Sequence, residues 1–142
     1  LMVVHWSELT TLHATLVPPW AEADLEAIRE RFNEFQWPNG PIEARFTLIE
    51  PGPDRAAPRL IWATGETPSA MIKLQRAIGK HVGQNALERL KLHITLARFG
   101  GDTAVSGAEY INWSVVFTQL WLVESHVGPD GARYEVLESV RL

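Results

Sequence analysis

The spacing of apolar and polar residues predicts a sheet-rich fold with two helices. Alternating or short apolar runs, which are typical of strands, occur at residues 11–17, 42–48, 60–63, 91–99, 114–125 and 133–140. Apolar residues recur three or four positions apart, as on one face of a helix, at residues 22–35 and 68–82. Runs of strands next to two helices predict an α+β domain with mostly antiparallel sheets.

Proline, glycine and capping residues indicate where these elements end. Pro18-Pro19 ends the first strand, because proline has no N–H to donate to a neighbouring strand. Thr67 is placed to cap the second helix, with Pro68 as its first residue, and Gly83 to end it. Turn-forming residues occur at 38–41, 51–54, 100–102 and 128–131. The last of these turns joins the final two strands into a hairpin.

A five-residue motif, Leu-His-x-Thr-Leu, occurs twice, at residues 12–16 and 92–96. Each copy lies in a predicted strand, where side chains alternate between the two faces. The histidine and threonine of one copy therefore point to one face, and the leucines point to the other. Two identical motifs in two strands indicate an internal duplication with one motif in each half.

His13 and His93 are the predicted catalytic residues, and Thr15 and Thr95 the predicted phosphate-binding residues. Imidazole titrates near neutral pH, so one histidine can accept a proton while the other, protonated, donates one. A hydroxyl beside each imidazole can donate a hydrogen bond to a non-bridging phosphate oxygen, where charge accumulates in the transition state. The pattern therefore predicts acid–base chemistry on a phosphate.

Three further residues are candidates for contacting the substrate or supporting the residues that do. Arg98 is able to steer a phosphate, although strand alternation turns it away from His93 unless the strand twists or bulges. Trp20 and Phe46 are candidates for stacking on a base. The other three histidines have no matched sequence context, and we expect none of them in the site.

Composition excludes several other classes of function. The 142 residues are enough for one domain with a real core, and the formal net charge of −4 argues against duplex-DNA binding, which needs a basic surface. The absence of cysteine excludes disulfides, zinc thiolates and a cysteine nucleophile, and it fits a reducing cytoplasm, where we expect the protein. No stretch approaches the ~20 apolar residues of a membrane span. Two histidines without a third ligand at fitting spacing make a poor zinc site.

The paired motifs resemble those of the 2H phosphoesterase superfamily, and the nearest branch is that of the RNA 2',3'-cyclic phosphodiesterases, also called 2'-5' RNA ligases. Two further stretches carry the resemblance: Lys91–Phe99, with Ala-Arg after the second motif, and the hairpin sequence of residues 120–137. The resemblance covers most of the chain from Leu12 onward.

This resemblance implies a two-lobed fold with helices outside and a central cleft. It also implies hydrolysis of 2',3'-cyclic phosphate ends of RNA or nucleotides to 2'-phosphates, without metal or cofactor, by His13 and His93. Thr15 and Thr95 would hydrogen-bond the phosphate. The reverse reaction would join RNA ends by a 2'-5' linkage.

Two departures from the family pattern leave alternatives open. Only eleven residues precede Leu12, where the family has a strand and a helix, and the first residue is Leu. We expect either that the family's N-terminal unit is missing or that the chain is a natural short version with an incomplete first lobe. Residues 17–20 also differ from the family's usual segment. The alternatives are a 2H enzyme acting on a cyclic oligonucleotide, a cyclic ADP-ribose phosphate or a 2'-5' linkage, and a non-catalytic nucleotide-binding module. We expect a monomer, with an open sheet edge as the route to a dimer.

Overall fold

The computed structural model describes residues 4–6, 12–85, 89–99, 106–129 and 131–142. In this part of the chain it contains two antiparallel sheets and two helices. The elements are β1 (Val4–Trp6), α1 (Leu25–Asn33), β2 (Ile42–Gly52), β3 (Leu60–Thr64), α2 (Ser69–Val82), β4 (His93–Phe99), β5 (Glu109–Phe117), β6 (Gln119–Gly128) and β7 (Gly131–Arg141). One sheet has the strand order β1-β4-β3-β2-β5, and the other is the β6-β7 hairpin. The predicted α+β class with antiparallel sheets is confirmed.

The long strand β2 follows the alternation seen in the sequence. Ile42, Ala44 and Phe46 are buried, and the polar residues between them are exposed. A strand that is apolar on one face only is stable when that face packs on a core. β2 pairs with β3 on one side and β5 on the other, so it is an inner strand of the sheet.

Local capping sets the beginning of α1 and the end of α2. The Asp24 carboxylate accepts a hydrogen bond from the Ala27 N–H at 3.0 Å, so α1 begins at Leu25 and is shorter than the predicted 22–35. The end of α2 is as predicted, because Gly83 adopts a left-handed conformation with φ of 75°.

The beginning of α2 differs from the prediction. Pro68, not Thr67, occupies the cap position, and it makes no side-chain capping bond. The Thr67 hydroxyl is engaged elsewhere, by the backbone that leads into β4.

Two strand predictions were wrong. Residues 12–17, predicted as a strand, are not part of a sheet, and residue 11 lies outside the described residues.

The predicted strand 114–125 is divided at Thr118 into β5, which pairs with β2, and β6, which pairs with β7. Thr118 itself belongs to neither strand, and its carbonyl accepts a hydrogen bond from the Leu142 N–H at 2.9 Å. The apolar pattern continues across Thr118, but the pairing partner changes there. The predicted turn at 100–102 lies outside the described residues.

The hydrophobic core joins both helices to both sheets. Its buried members are Ile28, Phe32, Phe35, Ile42, Ala44, Phe46, Ala63, Met71, Leu74, Ile78, Val82, Leu92, Leu120 and Leu122. Among the described residues, α2 is the longest helix at 14 residues, and no helix is long and apolar enough to cross a membrane.

Candidate active site

A cavity of about 950 Å³ lies between the first motif, the sheet and the hairpin. Its wall includes His13, Thr15, Trp20, Arg98, Trp113 and Tyr134. These residues come from the segment before α1, from β4 and β5, and from β7. The cavity therefore gathers parts of the chain that are remote in sequence.

The first motif is held in place by side-chain contacts. The Gln75 Nε2 amide, on α2, donates a hydrogen bond to the Leu16 carbonyl at 3.0 Å. Gln75 is only 2% exposed, so breaking this bond would leave a buried amide unsatisfied. On the cavity side, the His13 ring meets the Tyr134 ring at a centroid distance of 4.9 Å and an interplanar angle of 77°.

The second motif lies at the beginning of β4, as predicted, although the strand starts at His93 and not at Lys91. Its imidazole has a defined partner. His93 Nδ1 lies 2.8 Å from the Lys91 carbonyl oxygen. A carbonyl only accepts hydrogen bonds, so Nδ1 carries the proton and donates it. In this tautomer Nε2 is the ring nitrogen that carries no proton and is able to accept a hydrogen bond.

An aromatic ring and a charged side chain pack beside His93. The Trp62 ring lies 4.9 Å from the His93 ring, and the Lys91 ammonium lies 4.6 Å from the centroid of the Trp62 ring. Lys91 Nζ also lies 3.8 Å from the Glu50 carboxylate, which is 7% exposed and also pairs with Arg55. The two cations compensate the charge of a carboxylate that would be costly to bury alone.

The lining of the cavity shows where Arg98 lies on β4. Ile94, Leu96 and Arg98, which are two apart along the strand, all line the cavity, whereas His93 and Thr95 do not. Residues two apart on a strand share a face, so Arg98 faces the cavity together with Ile94 and Leu96. The pairing of β3 with β4 is irregular beside it, because Trp62 pairs with Thr95 and Leu60 with Arg98, which leaves Leu96 as one extra residue on β4.

Arg98 connects the two halves of the site. It lies on β4, the strand that begins at His93, where His93 pairs with Thr64 of β3. The Arg98 Nη2 donates a hydrogen bond to the Tyr134 hydroxyl at 3.5 Å. Tyr134 in turn contacts His13.

The structure gathers some of the predicted site residues in the cavity and leaves others outside its wall. His13, Thr15, Trp20 and Arg98 line it. Among the described residues, His93 and Thr95 are not part of its lining, although Ile94, Leu96 and Arg98 of the same strand are.

Phe46 does not have the predicted position. It is fully buried in the core, so its ring has no face available for stacking on a base. Its cross-strand neighbour Trp113 is 44% exposed and lines the cavity. Trp113 and Tyr134 were missed from the sequence, because only strand pairing brings them to the cavity.

A carboxylate at the cavity wall is held in its charged form. The Trp20 indole N–H donates a hydrogen bond to Glu22 Oε2 at 3.0 Å, and this bond, followed by one from the Asp24 backbone, lowers the pKa of Glu22 from 4.5. The same bond fixes the orientation of the Trp20 ring in the wall.

One group of side chains in the hairpin has the composition of a metal site. Ligand atoms of Glu124, His126 and Glu135 lie within 4.8 Å of one another. His126 Nε2 is 3.7 Å from the Glu124 carboxylate and 3.9 Å from the Glu135 carboxylate, so protonated His126 pairs with both. Glu135 directly follows Tyr134 on β7, so strand alternation points it away from the face that contacts His13.

Comparison with known proteins gives a family match and a set of similar folds. Residues 5–128 match the family model described as the 2'-5' RNA ligase superfamily. TT0787 of Thermus thermophilus has a TM-score of 0.73 at 23% identity, covering 98% of this chain and 82% of that one. Escherichia coli LigT complexed with 3'-AMP has a TM-score of 0.63 at 22% identity, covering 96% and 80%. LigT complexed with ATP has a TM-score of 0.60 at 20% identity, covering 96% and 79%. No curated protein sequence matches the chain.

Proposed function

The chain belongs to the 2'-5' RNA ligase superfamily, and on this premise we propose that it is a metal-independent phosphodiesterase that opens 2',3'-cyclic phosphates. Membership of the superfamily supports phosphodiester cleavage or RNA ligation. The more specific part of the proposal is the substrate, a 2',3'-cyclic phosphate at an RNA end or on a nucleotide. LigT, which has the same fold, is complexed with nucleotides, and this supports a nucleotide substrate here.

The observation that carries the proposal is the position of Arg98. It lines the cavity that holds His13 and Thr15, and it lies on β4, the strand that carries His93 and Thr95. A guanidinium is a permanent cation with several donors, and it is well suited to hold a phosphate between two sets of motif side chains.

In the proposed reaction the cyclic phosphate is held between the two motifs, with Thr15 and Thr95 donating to its free oxygens. One histidine, neutral, takes a proton from a water whose oxygen attacks phosphorus. The bond from phosphorus to the 3'-oxygen breaks, and the other histidine, protonated, gives its proton to that oxygen. The product carries a 2'-phosphate. With a 5'-hydroxyl attacking a cyclic phosphate in place of water, the same groups would form a 2'-5' linkage.

The test is hydrolysis of 2',3'-cyclic nucleotides by the variants His13→Asn and His93→Asn. We expect each to lower kcat by at least about 10²-fold, because each removes one proton-transfer group. The position of the product phosphate is read by phosphorus NMR, and the matched control is His126→Asn, an exposed histidine of the hairpin. The rate of the unmodified protein should be the same with and without EDTA.

The outcomes separate the proposal from its alternatives. Full activity in either motif variant, or loss of activity in EDTA, contradicts the mechanism. Saturable nucleotide binding without turnover would instead indicate a binding module. Turnover of a cyclic oligonucleotide or a 2'-5' linkage, but not of a cyclic phosphate, would keep the two histidines and change the substrate.

A further inference from the structure

We propose that Tyr134, on the second strand of the hairpin, is a positioning residue that holds the His13 imidazole in its reactive orientation. This inference rests on the proposed function, in which His13 transfers a proton. It assigns a role to the hairpin, which carries neither motif.

The contact between the two rings is direct and has a favourable geometry. Their centroids are 4.9 Å apart and their planes are inclined by 77°. An edge-to-face pair of this kind is attractive and restricts both rings, because the positive edge of one ring faces the electron-rich face of the other.

His13 needs positioning by tertiary contacts because of where it lies in the fold. Residues 12–17 are not part of a sheet, so strand pairing does not set the direction of the imidazole as it does for His93 on β4. The bond from Gln75 secures the Leu16 carbonyl, but Leu16 is three residues further along the chain. The Tyr134 ring acts on the imidazole itself.

The position of Tyr134 is in turn well determined. Tyr134 pairs directly with Ser125 across the hairpin, and both residues line the cavity. Its hydroxyl accepts a hydrogen bond from Arg98 Nη2 at 3.5 Å. Tyr134 thus joins the hairpin, β4 and the first motif, and the aromatic ring is the part that faces His13.

The first test compares Tyr134→Leu with Tyr134→Phe in the hydrolysis of a 2',3'-cyclic nucleotide. Loss of the ring should lower kcat by about 10²-fold with little change in KM, because misplacement of a reacting group by about 1 Å has an effect of this size. The phenylalanine variant keeps the ring and should recover most of kcat. Tyr110→Leu is the matched control, since Tyr110 is 88% exposed on β5.

The second test reads the orientation of His13 without using activity. The ring protons of His13 are assigned by the absence of their signals in His13→Asn. Their nuclear Overhauser contacts with protons of residues other than 134, which do not depend on the ring current of residue 134, should change in Tyr134→Leu and be kept in Tyr134→Phe and Tyr110→Leu. This measurement is informative even if the unmodified protein does not hydrolyse a cyclic phosphate, so it separates failure of this inference from failure of the proposed function. Thermal unfolding checks that the leucine variant is folded, and Tyr134→Met replaces it if it is not.

Several results would overturn the inference. One is an unchanged set of nuclear Overhauser contacts of the His13 ring in a folded variant without the aromatic ring. The others are a kcat like that of the unmodified protein in such a variant, and a phenylalanine variant that is as impaired as the leucine variant.

Discussion

The hydroxyl of Thr67 connects the end of one loop to the beginning of β4. It donates a hydrogen bond to the Leu90 carbonyl at 3.0 Å and accepts one from the Leu92 N–H at 2.9 Å. Leu92 is buried and directly precedes His93, so this one hydroxyl secures the backbone on which a predicted catalytic residue is built.

We expect Thr67→Val to destabilise the protein by about 1–3 kcal/mol, because it removes both hydrogen bonds and leaves backbone groups without partners in a partly buried place. The free energy of unfolding, from urea titration, measures this effect. Thr67→Ser, which keeps the hydroxyl, is the control and should be closer to the unmodified protein. Equal stability of the valine and serine variants would show that the two bonds contribute nothing.

At the scale of elements, α1 is fastened to β7 by one charged contact. Arg29 Nε donates a hydrogen bond to Glu138 Oε1 at 2.8 Å, and Arg29 Nη2 donates another to the Leu137 carbonyl at 3.3 Å. The bond from Arg29, with a further one from Asn33, lowers the pKa of Glu138 from 4.5. A carboxyl with a lowered pKa in the folded state stabilises that state while it is ionised.

The contribution of Glu138 to stability should therefore depend on pH in one direction. It is fully present above the ordinary carboxyl pKa of 4.5, and it is lost as the pH falls through the lower pKa of the folded state. Thermal unfolding of Glu138→Gln should show a lower Tm than the unmodified protein at pH 7, and the difference should shrink in acid. Glu66→Gln, at an exposed position, is the control. A Tm difference that is the same in neutral and in acid solution would contradict this assignment.

At the scale of the whole molecule, charge limits how a nucleic acid can be bound. The formal net charge is −4, and among the described residues Arg98 is the arginine that lines the cavity together with His13 and Thr15. A protein of this charge is expected to hold one terminal phosphate and to make few contacts with the rest of an RNA backbone.

The salt dependence of binding tests this expectation. Each phosphate contact on a single strand adds about 0.7 to the slope of log Kd against log salt concentration, so we expect a slope of about 1 or less for a short oligoribonucleotide with a 2'-phosphate end. Fluorescence anisotropy measures this slope, and the mononucleotide should give a similar one. A slope several times larger for the oligonucleotide than for the mononucleotide would reveal an extended RNA-binding surface.

The features that are set by neighbouring residues were predicted correctly from the sequence. The alternation of β2, the end of α2 at Gly83 and the β6-β7 hairpin each depend on the conformational preferences of a few adjacent residues. The family resemblance, drawn from the two motifs and the hairpin sequence, is confirmed by the family match. The roles of His13 and His93 remain predictions that the proposed experiments test.

The sequence by itself determined which side chains are candidates for the chemistry, because a repeated motif is visible without any knowledge of the fold. Only the tertiary structure decided how those side chains are presented. Arg98 lines the cavity whereas His93 and Thr95 do not, Phe46 is buried in the core, and Tyr134 is brought to His13. Each of these depends on pairing between segments far apart in the chain, and local alternation carries no information about which partner, or which register, a strand will take.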